Sequence, residues 1–207
     1  MEFKEGYVYH IKDSYFEKVK DDKLMKNKES GNFRPTFYCF KDKQTSLLWV
    51  VPLSSRVDKY KSIMDKQIER YGNSMGIYIG TFDGKPSAFL IQNMFPITED
   101  YLDHVHTRNG NPVPVKQSIS KEVKSRMQRT LQLISRGKKV VFPNIERLKN
   151  LMLEEIKQKS NSKDLLKTNN KKTFTYSRKQ LKETADKISN DKTQNKNRVH
   201  EKEELKI

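Results

Sequence analysis

Cysteine is almost absent from this 207-residue chain: Cys39 stands alone, so no internal disulfide can form and no multi-cysteine zinc site can be built. Long apolar runs are missing too. The longest, Leu47 to Leu53, is seven residues with Pro52 inside it, whereas a membrane-spanning helix needs about 20; no membrane insertion is expected. The first residues, Met1-Glu2-Phe3-Lys4-Glu5, are partly acidic where a secretory leader would be basic and then apolar. A cytoplasmic protein is the consistent reading. No glycine-rich strand-to-helix turn of either phosphate-binding form occurs, so a nucleotide cofactor has no visible cradle and none is expected.

What the chain has in excess is positive charge. It carries 42 Lys and Arg against 26 Asp and Glu, a formal net charge of +16, which favours a polyanionic partner. Hydrophobic residues make up 34% of the whole but are unevenly spread. Residues 157–207 hold ten of them in 51 positions, with 15 basic and 7 acidic side chains. The sequence therefore predicts a domain over residues 1–156 and a basic C-terminal extension over 157–207, disordered or partly helical. Ser177-Arg178-Lys179-Gln180 has the form of a capping box, followed by Leu181, Ala185 and Ile188 at helical spacing.

Within the domain, Gly6 to Ile11, Thr36 to Phe40 and Ser46 to Leu53 read as strands, the last a buried one stopping near Pro52. Asp13 or Ser14 can cap a short helix bearing Tyr15, Phe16 and Val19, and Lys20 to Asn32 reads as a loop. Ser54 or Ser55 can open a helix carrying Val57, Tyr60, Met64 and Ile68, stopped at Gly72. Asp83-Gly84 between Gly76–Phe82 and Ser87–Asn93 marks a hairpin, with Pro96 ending its second strand. Thr98 can cap a turn of helix, and Asn109 to Pro112 is a loop. Two helices follow, one capped by Ser120 with Val123, Met127, Leu131 and Ile134 and closed by Gly137, one starting at Pro143 with Ile145, Leu148, Met152 and Ile156. This alternation predicts an α+β fold: a small antiparallel, barrel-like sheet with inserted and C-terminal helices.

The junction Pro52-Leu53-Ser54-Ser55-Arg56, with Lys59 and Tyr60 one turn on, is the most informative stretch. A helix N-terminus presents backbone N–H groups and partial positive charge, and two hydroxyls and a guanidinium would add donors around a phosphate. Helix capping by serine explains the same residues without a ligand. His104-Val105-His106 could put two imidazoles on one face of a strand, but the neighbouring pattern reads as helical, where i and i+2 diverge, and a surface position is expected; His10 reads as a packed or hydrogen-bonded strand residue. Neither a two-histidine mechanism nor a metal site is expected. The strand aromatics Tyr7, Tyr9, Tyr38, Phe40, Tyr78 and Phe82 can be core or can stack bases. Tyr38 and Tyr60 are the ones expected to be exposed, and Asn93 can hydrogen-bond a base or merely close its strand.

Several stretches taken in order carry a resemblance: Asp13 to Glu17, Asp21-Asp22-Lys23, Arg34 to Tyr38, Pro52-Leu53-Ser54-Ser55, Ile91 to Ile97 and Lys124-Ser125-Arg126-Met127. Together they resemble the toxins of type III toxin–antitoxin systems, the ToxN/AbiQ/CptN group. The resemblance implies a compact fold related to the MazF/Kid toxins. It also implies a sequence-preferring endoribonuclease that cleaves single-stranded RNA without a metal, leaves 2′,3′-cyclic phosphate ends, and has roles such as phage defence. A repeat RNA antitoxin, processed by the toxin and binding it in an RNA-bridged cyclic hetero-oligomer, is the implied partner, and cellular or phage RNA the implied substrate. The family's key serine corresponds to Ser55 and the preceding hydroxyl to Ser54. Where the family continues with Pro-Lys this chain has Arg56-Val57, so the cation is Arg56 or Lys59. The family's upstream RNA contacts fall near Phe33 to Thr36, where this chain offers Arg34 and Thr36, with Tyr38, Tyr60 and Asn93 as further RNA-binding candidates. A non-catalytic RNA-binding module, with the serines as caps, is the alternative, and a DNA-binding protein with a basic tail the third reading.

Overall fold

The computed structural model describes residues 3–29 and 31–162. The chain divides into two compact units, Met1–Ile156 and Lys157–Ile207. In the second, residues 157–162 are helical, and the helix expected near Ser177 to Ile188 lies outside the described residues.

The first unit opens with strand β1 (Val8–Ile11) and helix α1 (Asp13–Val19), then a small hairpin of β2 (Lys28–Glu29) and β3 (Asn32–Phe33). Strands β4 (Thr36–Lys41) and β5 (Leu48–Ser54) lead into helix α2 (Val57–Tyr71). The hairpin β6 (Tyr78–Phe82) and β7 (Lys85–Phe89) is followed by a 3-10 turn at Ile91–Asn93, strand β8 (Phe95–Ile97), and β9 (Leu102–Val105). A second small hairpin, β10 (Thr107–Arg108) and β11 (Asn111–Pro112), precedes helix α3 (Gln117–Ser135); helix α4 begins at residue 145.

Seven strands form one antiparallel sheet in the order β6-β7-β5-β4-β1-β9, with β8 on the second edge of β5. Strand β5 is buried throughout and feeds both faces. Trp49, Val51 and Leu53 join Phe37, Cys39, Phe89 and the α3 residues Ile119, Val123 and Met127 in one core. Leu48 and Val50 join Tyr38, Tyr15 of α1 and Leu148 and Met152 of α4 in another. A strand covered on both sides has no polar face to alternate with, and so its sequence is an unbroken apolar run. On the side of this second core Glu155 is buried and accepts hydrogen bonds from Tyr101 Oη at 2.7 Å and Lys18 Nζ at 2.5 Å.

Pro52 does not end β5. It pairs with Thr36, and its carbonyl accepts the Leu90 N–H at 3.1 Å. The second edge of β5 changes partner there, from β8 (Val50 opposite Phe95) to β7 (Leu53 opposite Phe89), and the missing proline N–H falls in that gap. Pro96 likewise lies within β8 rather than ending a strand, and Ile91–Asn93 is a 3-10 turn rather than a continuation of β7. Lys12, not Asp13 or Ser14, occupies the cap position of α1. The Asp13 carboxylate instead accepts from Asn27 Nδ2 at 2.8 Å and pairs with Lys28, tying α1 to the β2–β3 hairpin. Helix α3 starts at Gln117, before the expected cap at Ser120.

The expected α+β fold with an antiparallel sheet and helices is found, without a closed barrel among the described residues. Among the described residues no backbone ladder joins β6 to β9, the two ends of the sheet path. Side chains bridge them instead: Asp83, in the turn after β6, faces His106 Nε2 at 3.3 Å and Arg108 Nε at 2.8 Å, and Phe82 packs on His106 at 5.1 Å between ring centroids. That turn is a tight two-residue one, with φ of 51° at Asp83 and 74° at Gly84.

Candidate functional site

The passage from β5 to α2 is pinned by its first serine. Ser54 is the last residue of β5, pairs with Ala88 of β7, and is 6% exposed. Its Oγ accepts the Arg56 N–H at 3.2 Å, while the Ser55 carbonyl accepts the Val57 N–H at 2.8 Å. Neither serine is the N-cap of α2; that position is Arg56. Ser54 still satisfies a backbone donor at the turn, so the capping and site readings divide between the two serines. Ser55 and Arg56 are exposed.

They open onto a cleft of about 380 Å³. Its polar lining is Asn32, Arg34, Ser54, Ser55, Arg56 and Ser87; its apolar walls are Phe33, Pro35, Leu53 and Phe82. Two guanidinium groups and three serine hydroxyls, with no carboxylate in the lining, suit an anion that accepts several hydrogen bonds. Arg34 is held beside the end of β5: its Nε donates to the Lys26 carbonyl at 3.0 Å and its Nη1 to the Leu53 carbonyl at 3.1 Å, with its backbone N–H on Asn27. A fixed guanidinium loses little further entropy on meeting a ligand, as a free lysine would not. Phe33, beside it, is capped by Lys28 Nζ at 4.4 Å from the ring centroid.

Other candidates lie elsewhere. Lys59 does not line the cleft; its Nζ sits 5.8 Å from the Tyr60 ring. Tyr60 is 8% exposed and packs with Ile77, Ala88 and Leu90 beneath α2. Tyr38 is 4% exposed among Tyr9 and Val50, and burial, helped by the charges of Glu5 and Glu99, pushes its phenol well above the ordinary range. The expected exposure of both tyrosines is therefore corrected: alternation along β4 and the 3.6-residue period of α2 turn each ring into the core. Thr36 and Asn93 are buried as well, and Thr36 Oγ1 donates to the Arg34 carbonyl at 3.4 Å. In this position Thr36 supports Arg34 rather than reaching the cleft itself.

Phe82, one of the strand aromatics open to base stacking, does line the cleft, whereas nothing local to Ser87 points there; both arrive through the long-range pairing of the β6–β7 hairpin with β5. His10 lies in strand β1 as expected, but the helical pattern around His104-Val105-His106 is corrected. His104 lies in strand β9 and His106 just beyond it, so the two share a face, and the β1–β9 pairing of Tyr9 with Val105 sets His10 against them. His10 and His104 are stacked, 4.5 Å between centroids at 21°. Among the described residues no group of three His, Cys, Asp or Glu side chains is arranged to hold a metal ion. No helix there is long and apolar enough to cross a membrane.

No protein-family model matches the chain, and no curated protein matches it in sequence. A solved structure does match: AbiQ, a lactococcal anti-phage endoribonuclease belonging to the type III toxin–antitoxin system, at a TM-score of 0.57 and 14% sequence identity. The match covers 73% of this chain and 98% of AbiQ. Over that part of its length, the chain has the fold of AbiQ.

Proposed function

We propose that this protein is an endoribonuclease toxin of a type III toxin–antitoxin system, acting on single-stranded RNA at the cleft beside Ser55. One observation carries the reading: in a fold shared with AbiQ, an exposed hydroxyl and two guanidinium groups line a carboxylate-free cleft, at a turn that a buried serine holds in place. In the reaction, the 2′-OH of a nucleotide attacks the adjacent phosphorus. The new O2′–P bond forms as the P–O5′ bond breaks; the 2′ proton leaves and the 5′ oxygen takes one up, giving a 2′,3′-cyclic phosphate and a 5′-hydroxyl. Charge builds on the non-bridging oxygens along this path, and preorganised donors there lower the barrier most.

Ser55 and Arg56 hold the scissile phosphate, and Arg34, anchored on the Leu53 carbonyl beside them, holds it or its neighbour. Ser54 is a positioning residue that fixes the Arg56 backbone. An unactivated serine is a poor base, so the role of Ser55 is to bind and orient, and in-line geometry supplies much of the rate. A repeat RNA that lays single-stranded segments in the same cleft is the antitoxin, and the protein's charge of +16 favours both RNAs. The related barrel of the MazF/Kid toxins, the cyclic assembly with antitoxin RNA and a cytoplasmic setting belong to the same reading.

The test is cleavage of a single-stranded RNA pool in excess EDTA, wild type beside Ser55→Ala, with product ends identified by mass. Cyclic phosphate ends from wild type alone support the assignment. Loss of wild-type cleavage in EDTA that returns with a divalent cation rejects the metal-free route. RNA bound by both proteins and cut by neither under any condition makes this a binding module.

A further inference from the structure

Three imidazoles extend the aromatic wall of the cleft. Phe33 and Phe82 line the cleft itself. Edge-on to Phe33, at 6.1 Å between centroids, lies His10; stacked on His10 at 4.5 Å is His104; and His106, 5.9 Å from His10, lies 5.1 Å from Phe82. The five rings therefore form one contiguous group running from the cleft to the surface. Its outermost member is His104, whose side chain is 59% exposed, against 24% for His106.

Two carboxylates set the imidazole planes: Asp103 Oδ2 faces His104 Nδ1 at 2.9 Å, and Asp83 Oδ2 faces His106 Nε2 at 3.3 Å. Arg108 partners Asp83, and Lys28 caps Phe33, so cations stand at both ends of the group. His10 has no such partner. Its Nδ1 is buried without a hydrogen bond to any described residue. A wholly structural stack at the seam of the sheet would be served better by apolar rings, which carry no polar atom to leave unpaired.

His10 and His104 lie in near-parallel planes, 21° apart, while His106 tilts by 33° from His10 and Phe33 stands edge-on; a flat ring exposed at the end of such a pair, with cations nearby, is what an unpaired nucleobase binds. A metal needs ring nitrogens converging on a point, and stacked rings present their faces instead. We propose that His10, His104 and His106 form a base-stacking subsite for the nucleotide next to the scissile phosphate, with His104 as its outer platform. The proposal deepens the RNA reading of the cleft and rests on it for the direction in which the strand runs. His10, at the base of the stack, holds the His104 ring; it is a positioning residue.

Binding and cleavage measured side by side test this. The probes are single-stranded 2′-fluoro oligonucleotides of increasing length, which lack the attacking hydroxyl, against wild type, His104→Ala, His104→Phe and His106→Ala at matched salt. Thermal melts confirm that each variant is folded. For oligonucleotides long enough to pass the cleft, His104→Ala is expected to bind about 5- to 150-fold more weakly, the range for loss of one base stack, while His104→Phe binds close to wild type. A 4-thiouridine placed beside the cleavage position should crosslink to the peptide bearing His104.

Equal affinity of folded His104→Ala and wild type at every length overturns the subsite. Weaker binding by His104→Phe to the same degree as His104→Ala overturns stacking as its basis. The nuclease reading is scored separately by cleavage of ordinary RNA. A wild type that cuts RNA while the histidine variants bind and cut equally well loses only the subsite; a wild type that binds in a His104-dependent way without cutting loses only the nuclease.

Discussion

His106 Nε2 lies 3.3 Å from Asp83 Oδ2, although the two residues are 23 apart and belong to opposite ends of the sheet. With Arg108 on the same carboxylate, this contact replaces the backbone ladder that a closed barrel would have between β6 and β9. Asp83 also has a φ of 51°, which Asp and Asn tolerate better than most residues. Asp83→Ala should therefore lower stability by about 1–2 kcal/mol, combining lost charge-assisted bonds with turn strain. Asp83→Asn keeps the turn and loses the charge, so it should fall between the two in thermal denaturation. Equal melting of all three proteins would mean that the contact does not hold the seam.

The two serines should separate in their effects. Ser54→Ala removes the acceptor of the Arg56 N–H and should cost about 1 kcal/mol of stability. Ser55 is exposed and its side chain makes no comparable bond among the described residues, so Ser55→Ala should melt within about 0.5 kcal/mol of wild type while losing RNA cleavage. Denaturant midpoints beside a cleavage assay give both readings. A Ser55→Ala enzyme that still cuts RNA at the wild-type rate would remove Ser55 from the reaction.

Arg56 should show itself in salt dependence. If its guanidinium neutralises one RNA phosphate, Arg56→Gln reduces the slope of log affinity against log salt by about 0.7, the single-strand value per contact. Arg34→Lys keeps the charge, but one ammonium cannot reproduce the guanidinium's donation to the Lys26 and Leu53 carbonyls. Its slope should stay near wild type while its affinity falls. Titrations of one oligonucleotide at four or more salt concentrations distinguish the two.

His10 makes stability depend on pH. Burial, then the neighbouring His104 and His106, hold its imidazole down to about 4, with Asp103 opposing them weakly. An unfolded histidine takes up its proton near 6.5, whereas the folded one does so only near 4. Between those values the unfolded state binds more protons, so folding weakens as pH falls from about 6.5 to 4 and gains no further loss from His10 below that. The effect is on the order of 1–3 kcal/mol. His10→Phe keeps a ring in the stack and should flatten this part of the stability profile, measured by denaturant unfolding from pH 7 to 3.5. An unchanged profile would place the titration elsewhere.

Much of the fold was legible because local chemistry and tertiary structure agree. The apolar run Leu47 to Leu53 gave β5, Asp83-Gly84 gave the hairpin turn, and Gly72, at φ 74°, ended α2 where the helical spacing did. The failures have a common cause. Pro52 and Pro96 look like strand ends to a local rule, which cannot know that a strand changes partners or lies at an edge. His104-Val105-His106 was read as helical because three residues carry too little periodicity to overrule their neighbours. The exposure expected of Tyr38 and Tyr60 fails because alternation and helical spacing say which residues share a face, not which face the rest of the protein covers.

The sequence by itself determined the charge, the single cysteine, the segments that become strands and helices, and the Ser54-Ser55-Arg56 turn, since each is a property of composition or of residues within a few positions of one another. Tertiary structure decided which of those residues meet. Strand pairing between positions far apart brought Ser87 and Phe82 to the serines, buried Ser54 while leaving Ser55 open, and stacked His10 on His104. Such contacts depend on register and on which sheet face is covered, quantities set by the summed burial of the whole domain rather than by any one stretch of chain.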